Sequence, residues 1–200
     1  MLDLALFDYD GTITREDIFT MFLRHAISPA RAVWGGLLVS PFVLGYRLGA
    51  LEARHVRPLV SGAGFAGRSA EAVRVLGASF AEEVLPDLVR PEAEERIQWH
   101  RERGDFTVVV SASLDAYLRP WCTRMSLACI CTQLEERHGR LTGRYTRGDC
   151  SGPNKVARLR EAYDLRGFGS IHAYGDTAED DEMLALADHA HRGWPLEPRA

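Results

Sequence analysis

The sequence predicts an α/β fold: a doubly wound parallel sheet with an all-helical cap inserted after the first strand. Three observations carry this. Residues 2–7 (LDLALF), 106–110 (FTVVV), 127–132 (LACICT) and 170–174 (SIHAY) are short apolar runs without polar alternation, which suits strands buried on both faces. Helical patterns lie between the later runs, as they do in parallel sheets built from β-α-β units. The stretch 15–89 breaks that rhythm and contains no convincing strand. Together these give a Rossmann-like core of residues 1–14 and 90–200 and a helical cap of residues 15–89.

Each element has local support. The first apolar run ends at an acidic loop, Asp8-Tyr9-Asp10-Gly11-Thr12. In the cap, helices are expected over 15–26, 29–47, 50–60 and 69–88. Residues 91–103 open with Pro91 and acids and close at Gly104, which are helix start and stop signals. Residues 114–126 carry Leu114, Tyr117, Leu118 and Trp121 at helical spacing. Pro153 sits where a first helical position favours proline, ahead of Val156, Leu159 and Tyr163 on one face. Thr177 is placed to cap a last helix whose acidic start suits the helix dipole. An insertion of this size in a doubly wound sheet covers the C-terminal strand edge, where open sheets bind ligands.

Composition narrows the function. The chain has 200 residues, 46% hydrophobic and 26% charged, values that exclude a disordered or polytopic membrane protein. A net charge of −4 argues against a nucleic-acid partner. The charge is uneven: Ile18 to Arg74 holds seven arginines and two acids, a segment of +5, so the remainder is −9. Solvated arginines explain this, as does a basic surface that attracts an anionic substrate or anionic lipid. Cys122, Cys129, Cys131 and Cys150 read as reduced core thiols. The start MLDLALFD has no basic lead and no long apolar stretch, so a cytoplasmic protein without a secretory signal is expected.

The chemistry lies at strand ends. Asp8 and Asp10, two apart after the first run, can face one site, and Gly11 permits a tight turn. Asp176, Glu179, Asp180, Asp181 and Glu182 follow the 170–174 run. A hard cation such as Mg²⁺, held by carboxylates, water and phosphate, would account for acids at two strand ends. Ser111 closes the FTVVV run, where its hydroxyl and the next amide, that of Ala112, can hold a phosphate oxygen. Lys155 stands at a helix start. Singly, each has a bland reading as a turn, a helix start or a surface residue.

In this order, strand-DxDGT, strand-Ser, Lys and strand-GDxxxD, the residues resemble the haloacid dehalogenase-like hydrolase superfamily, with all four of its motifs between residues 8 and 180. The resemblance implies that Asp8 is the nucleophile and Asp10 the general acid/base. It implies that Ser111 binds the phosphoryl group, Lys155 neutralises it, Asp176 ligates Mg²⁺ with Asp8 and Asp10, and Asp180 orients the metal shell. An acid two residues after the nucleophile points to phosphatases and mutases rather than dehalogenases. A Mg²⁺-dependent phosphomonoesterase is therefore expected, with a phosphotransferase or mutase on the same core as the alternative.

The phrases YGDTAEDDEML and SGPNKVARL are similar to the phosphoserine-phosphatase-like subfamily IB, which also includes phosphatidylglycerophosphate phosphatases. Two departures stand against phosphoserine as substrate: Asp17 where that enzyme has an early cap Glu, and Glu179 where it has Asn. Arg54 and Arg57 are the candidate cap contacts to substrate anions; His25 and His55 read as structural. The uncharged run 32–46, between Arg31 and Arg47, reads first as cap core and alternatively as a membrane or lipid contact. The expected partner is thus a small phosphorylated metabolite, or a lipid phosphate met at the inner membrane face.

Overall fold

In a computed structural model, which describes residues 1–194, the chain alternates strands and helices outside one long helical stretch. It runs β1 (Leu4–Phe7), α1 (Ile18–Ala26), α2 (Pro29–Arg47), α3 (Ala53–Phe65), α4 (Ala70–Glu83), α5 (Pro91–Glu102), β2 (Phe106–Leu114) and α6 (Asp115–Arg124). It continues with β3 (Ala128–Thr132), β4 (Leu134–Arg137), β5 (Arg140–Tyr145), α7 (Pro153–Ala162), β6 (Ile171–Gly175), α8 (Asp181–Leu184) and β7 (His189–Arg192). Residues 195–200, assigned to the core from sequence, lie outside the described residues.

Five strands form one parallel sheet in the order β3-β2-β1-β6-β7. Strand β1 is central, and all four of its residues are fully buried. Alternate residues serve opposite faces. Ala5, Phe7 and Val109 join the core under α1, α4 and α6; Leu4, Leu6, Val108 and Val110 pack with Leu159 of α7 and Met183 and Leu184 of α8. Burial on both faces explains why these strands lack polar alternation. His100 of α5 pins its helix to the sheet, with Asp105 on one ring nitrogen (2.8 Å) and the Tyr174 hydroxyl on the other (2.9 Å). Burial, opposed by Asp105, lowers its pKa to about 4 and keeps the ring neutral.

The four expected strands are present, with one boundary that matters: β2 does not stop at Val110 but runs to Leu114, with an irregular register against β3 between Ser111 and Leu114. Two elements were not foreseen. Edge strand β7 has the sequence HAHR, without β-branched residues to announce it. The β4–β5 hairpin turns at His138-Gly139, both with positive φ, as a two-residue loop demands. Its main chain bonds to the α3–α4 connection, through Gly67 N–H to Leu141 O (2.8 Å) and Leu141 N–H to Arg68 O (2.9 Å). Gly62 of α3 lies against the Gly143 carbonyl. The helical segment is therefore braced by a hairpin from between β3 and α7. The helix expected after Thr177 is short, a single turn at Ala178–Asp180 followed by the four residues of α8.

The 32–46 run departs from its first reading. It is helical, as α2, but of that helix only Gly35 is buried. Gly35 allows close packing on Ala63 of α3. The Arg31 guanidinium caps the end of α3, donating to the carbonyls of Gly64 (3.1 Å) and Ala66 (2.9 Å). Among the described residues no helix is long and apolar enough to cross a membrane. The four cysteines are free thiols, three of them buried.

Candidate active site

The site forms at the C-terminal end of β1, where the chain leaves the central strand between β2 and β6. That crevice is where an open parallel sheet places ligands. Asp8 is the first residue past β1, held by its N–H to the Tyr174 carbonyl of β6 (2.9 Å). The chain then wraps tightly from Tyr9 to Ile13, closed by Thr14 N–H to Tyr9 O (2.9 Å). Arg90 braces this turn through the carbonyls of Gly11 and Thr14, both at 3.2 Å, and the Trp194 indole N–H donates to Thr12 O (2.9 Å).

Gly11 is required twice over. Its φ is +78°, and a Cβ there would overlap the Asp176 carboxylate. Asp176 approaches because its Oδ1 accepts from the Thr12 hydroxyl (3.0 Å). Gly11→Ala is expected to cost about 1–2 kcal/mol of stability and, by displacing Asp176, at least about tenfold in kcat/KM; thermal melts and steady-state kinetics check both.

Lys155, from the first turn of α7, reaches between two carboxylates. Its Nζ lies 2.5 Å from Asp8 Oδ1 and 2.5 Å from Asp180 Oδ1, and all three residues are buried. Burial pushes the Asp8 carboxyl up, and Lys155 pulls it back. Burial would lower Lys155, but Asp8 and Asp180 reverse that and hold it above its usual range. The other Asp180 oxygen accepts from the amides of Asp176 and Thr177, both at 3.1 Å, and from the Thr177 hydroxyl (3.2 Å). Asp180 is thus saturated, and it shapes the loop that carries Asp176.

Carboxylate oxygens of Asp8, Asp176 and Asp180 lie within 4.8 Å of one another. Such hard oxygen donors suit Mg²⁺ or a similar cation. Asp8 Oδ2 carries no hydrogen bond among the described residues, which leaves it available to a ligand.

Asp10 points elsewhere. Its Oδ1 accepts from the Ile18 N–H (2.7 Å), and its Oδ2 from the hydroxyls of Ser113 (2.5 Å) and Ser111 (3.4 Å). The Tyr117 hydroxyl donates to Ser113 Oγ (2.7 Å), completing a buried chain to Asp10. Burial raises the Asp10 carboxyl, opposed first by the Ser113 hydrogen bond. Ser113 was missed in the sequence, although the Ser-Ala-Ser spacing on a strand sets two hydroxyls toward one side. Ser111 is buried beside Asp10 and also accepts from Ser113 N–H (3.1 Å); Ala112, between the two serines, is buried as well.

The cap candidates differ. Arg57 of α3 makes a bidentate pair with buried Asp149 (2.9 and 3.0 Å) and meets Glu179 (2.8 Å). Burial opposes its charge, and these carboxylates more than restore it. It therefore ties the helical segment to the loops before α7 and after β6, a function for Asp149 that sequence reading did not find. Arg54 instead pairs with Glu52 on the surface. Asp17 is occupied as the N-cap of α1, accepting from Thr20 N–H (3.0 Å) and the Thr20 hydroxyl (2.6 Å). His25 packs on Phe80.

Comparison with known proteins agrees with this layout. A family model for haloacid dehalogenase-like hydrolases matches residues 5–185. The chain is 36% identical to protein CicA of Caulobacter vibrioides, over 92% of this chain and 83% of that protein. It is 25% identical to a histidinol-phosphatase of Neisseria meningitidis serogroup C, over 98% of each. Among solved structures, a phospho-aspartyl intermediate analogue of phosphoserine phosphatase shares the fold with a TM-score of 0.64 at 21% identity, over 93% of this chain and 83% of that one.

Proposed function

The chain belongs to the haloacid dehalogenase-like hydrolase family, and from that premise we propose that it hydrolyses a phosphate monoester through an aspartyl phosphate on Asp8. The observation that carries this is the buried arrangement of Lys155 against Asp8 and Asp180, with Asp176 beside them, at the end of the central strand.

In this reading Asp8 Oδ2 attacks phosphorus and the ester oxygen leaves. Asp10 gives that oxygen a proton and afterwards takes one from the water that cleaves the acyl phosphate. The Ser113 and Tyr117 hydroxyls fix the Asp10 carboxyl for both transfers. Ser111 and the Ala112 amide hold phosphoryl oxygens, and Lys155 neutralises their charge while favouring the ionised form of Asp8. Asp8, the Asp10 carbonyl and Asp176 would hold Mg²⁺, which supplies further neutralisation of the phosphoryl oxygens when bound. Asp180 positions Lys155 and the Asp176 loop.

Residues 15–89 serve as the cap over this site. Arg57 is the cap residue we assign to a substrate anion, which would compete with Glu179 for its guanidinium; surface Arg54 is the secondary candidate. With Asp17 occupied as the exposed N-cap of α1 and Glu179 paired with Arg57, we assign neither to recognition of phosphoserine's amino acid end. A small phosphorylated metabolite is the substrate class, and histidinol phosphate belongs in the first panel because a full-length relative carries that activity's name.

The test is phosphate release from p-nitrophenyl phosphate and a metabolite panel. Turnover is expected with Mg²⁺, none in excess EDTA, and recovery when Mg²⁺ is restored. Full activity in EDTA overturns the metal assignment, and absence of turnover across the panel overturns the reaction.

A further inference from the structure

Helix α2 presents apolar surface to solvent on an unusual scale. Of the twelve large apolar side chains most exposed among the described residues, eight lie between positions 33 and 48. Val33, Trp34, Leu37, Leu38, Leu44 and Leu48 are each more than half exposed. On a helix of 3.6 residues per turn these positions, with Phe42 and Tyr46, cover more than half of the circumference. That is wider than the stripe a helix uses to seat in a domain core. Helix α3 closes the side on which Gly35 packs against Ala63, between Phe42 and Tyr46 on the helical wheel, and Val33, Trp34, Leu37 and Leu44 face away from it. No charge interrupts residues 32–46.

We propose that α2 is a docking surface for an anionic lipid bilayer, with its outer face lying in the headgroup region. Charge decides the occupant. The segment Ile18–Arg74 that contains α2 is +5 by sequence and the rest of the chain −9; Arg57 and Arg74 are spent on acids of that rest, whereas Arg24, Arg31, Arg47 and Arg68 have no ion-pair partner among the described residues. A two-fold contact between copies would bring the same positive segment against itself. An anionic surface complements it and repels the rest, which orients the protein cap-down. Arg47, exposed at the end of α2, has no ion-pair partner among the described residues and is free to meet headgroups. Trp34 and Tyr46, near the two ends of the helix, are residue types that settle at membrane interfaces. Helix α2 is too short in apolar residues to span, so it lies on the surface. The docking does not depend on the phosphatase reading. If both hold, α3 joins the docked helix to the site, because its Arg57 reaches Asp149 and Glu179.

The experiment is flotation of the full chain with vesicles of phosphatidylcholine containing a quarter phosphatidylglycerol, at low and high salt, without substrate. Wild-type protein is expected to float with these vesicles at low salt, less at high salt, and less with pure phosphatidylcholine. Replacing Trp34→Ser, Leu37→Ser and Leu38→Ser together is expected to weaken partitioning by about tenfold or more. Arg47→Glu is expected to weaken it only on the anionic vesicles. Brominated lipid is expected to quench tryptophan emission in wild type and not in Trp34→Phe, a readout that stands if the triple variant fails to fold. No flotation at low salt overturns the proposal. So does self-association that the triple variant dissolves while vesicles are ignored, since the face then belongs to a second copy. Turnover of p-nitrophenyl phosphate, measured separately, keeps either outcome distinct from the fate of the catalytic reading.

Discussion

Asp8→Asn is expected to lower kcat by about 10⁴-fold or more, because an amide cannot attack phosphorus and no second carboxylate stands where it could. Asp10 is turned toward Ser113 and the Ile18 amide, and Asp180 is saturated by Lys155 and two backbone amides. The fold should survive: Lys155 loses one partner and keeps Asp180, and the β1 main chain is untouched. Circular dichroism and a thermal melt establish that, and steady-state turnover with Mg²⁺ gives the loss. Acid quench after brief exposure to labelled substrate separates the roles. With labelled p-nitrophenyl phosphate, whose leaving group departs without a proton from Asp10, wild type should yield a transient phosphoprotein and Asp8→Asn none, whereas Asp10→Asn should accumulate it, because the water-activating carboxylate is gone. Retention of more than about 1% of wild-type kcat in a folded Asp8→Asn protein contradicts a nucleophilic Asp8.

Most of the catalytic core is legible from sequence because its elements are locally consistent. A strand buried on both faces must be apolar throughout, so LALF and FTVVV announce themselves, and the acids and serine that follow are marked by position alone. Lys155 is less obvious: proline and glycine mark its helix start, but only the tertiary structure shows a lysine buried between two carboxylates. The features that escaped are those whose signal is weak or non-local. Strand β7 is specified by pairing with β6, not by its own residues. The hairpin's His138-Gly139 turn is short, with alternation hidden among arginines and glutamates. Arg57 carries no mark in the sequence that its carboxylate partners lie 92 and 122 positions away. The reading of 32–46 as core failed for a physical reason. Hydrophobicity alone does not say whether an apolar face is covered, and here α3 closes only one side.

Replacing Lys155→Met is expected to be the most damaging change to stability within the site, as well as silencing it. The ammonium is the only cation between the two buried carboxylates in the described residues, at 2.5 Å from each. Removing one partner of a buried ionic cluster leaves uncompensated charge and costs about 3–5 kcal/mol, far more than the intact cluster contributes over a well-packed apolar equivalent. Urea unfolding in EDTA, which keeps cations from substituting for the ammonium, should show that loss at neutral pH. Its pH dependence has a definite sign. Burial raises the Asp8 carboxyl above its ordinary 3.8 even with Lys155 present, and more so without it. The folded state then binds more protons than the unfolded chain, so stability falls as pH rises. The deficit of Lys155→Met should vanish below the ordinary carboxylate value and grow through the mildly acidic range to neutrality. Adding Asp8→Asn to Lys155→Met removes one of the stranded charges. The double variant should therefore recover part of the lost stability while remaining inactive. If Lys155→Met unfolds at the wild-type urea midpoint, the lysine is not balancing buried charge. If the double variant is no more stable than the single one, Asp8 is not the charge it balances.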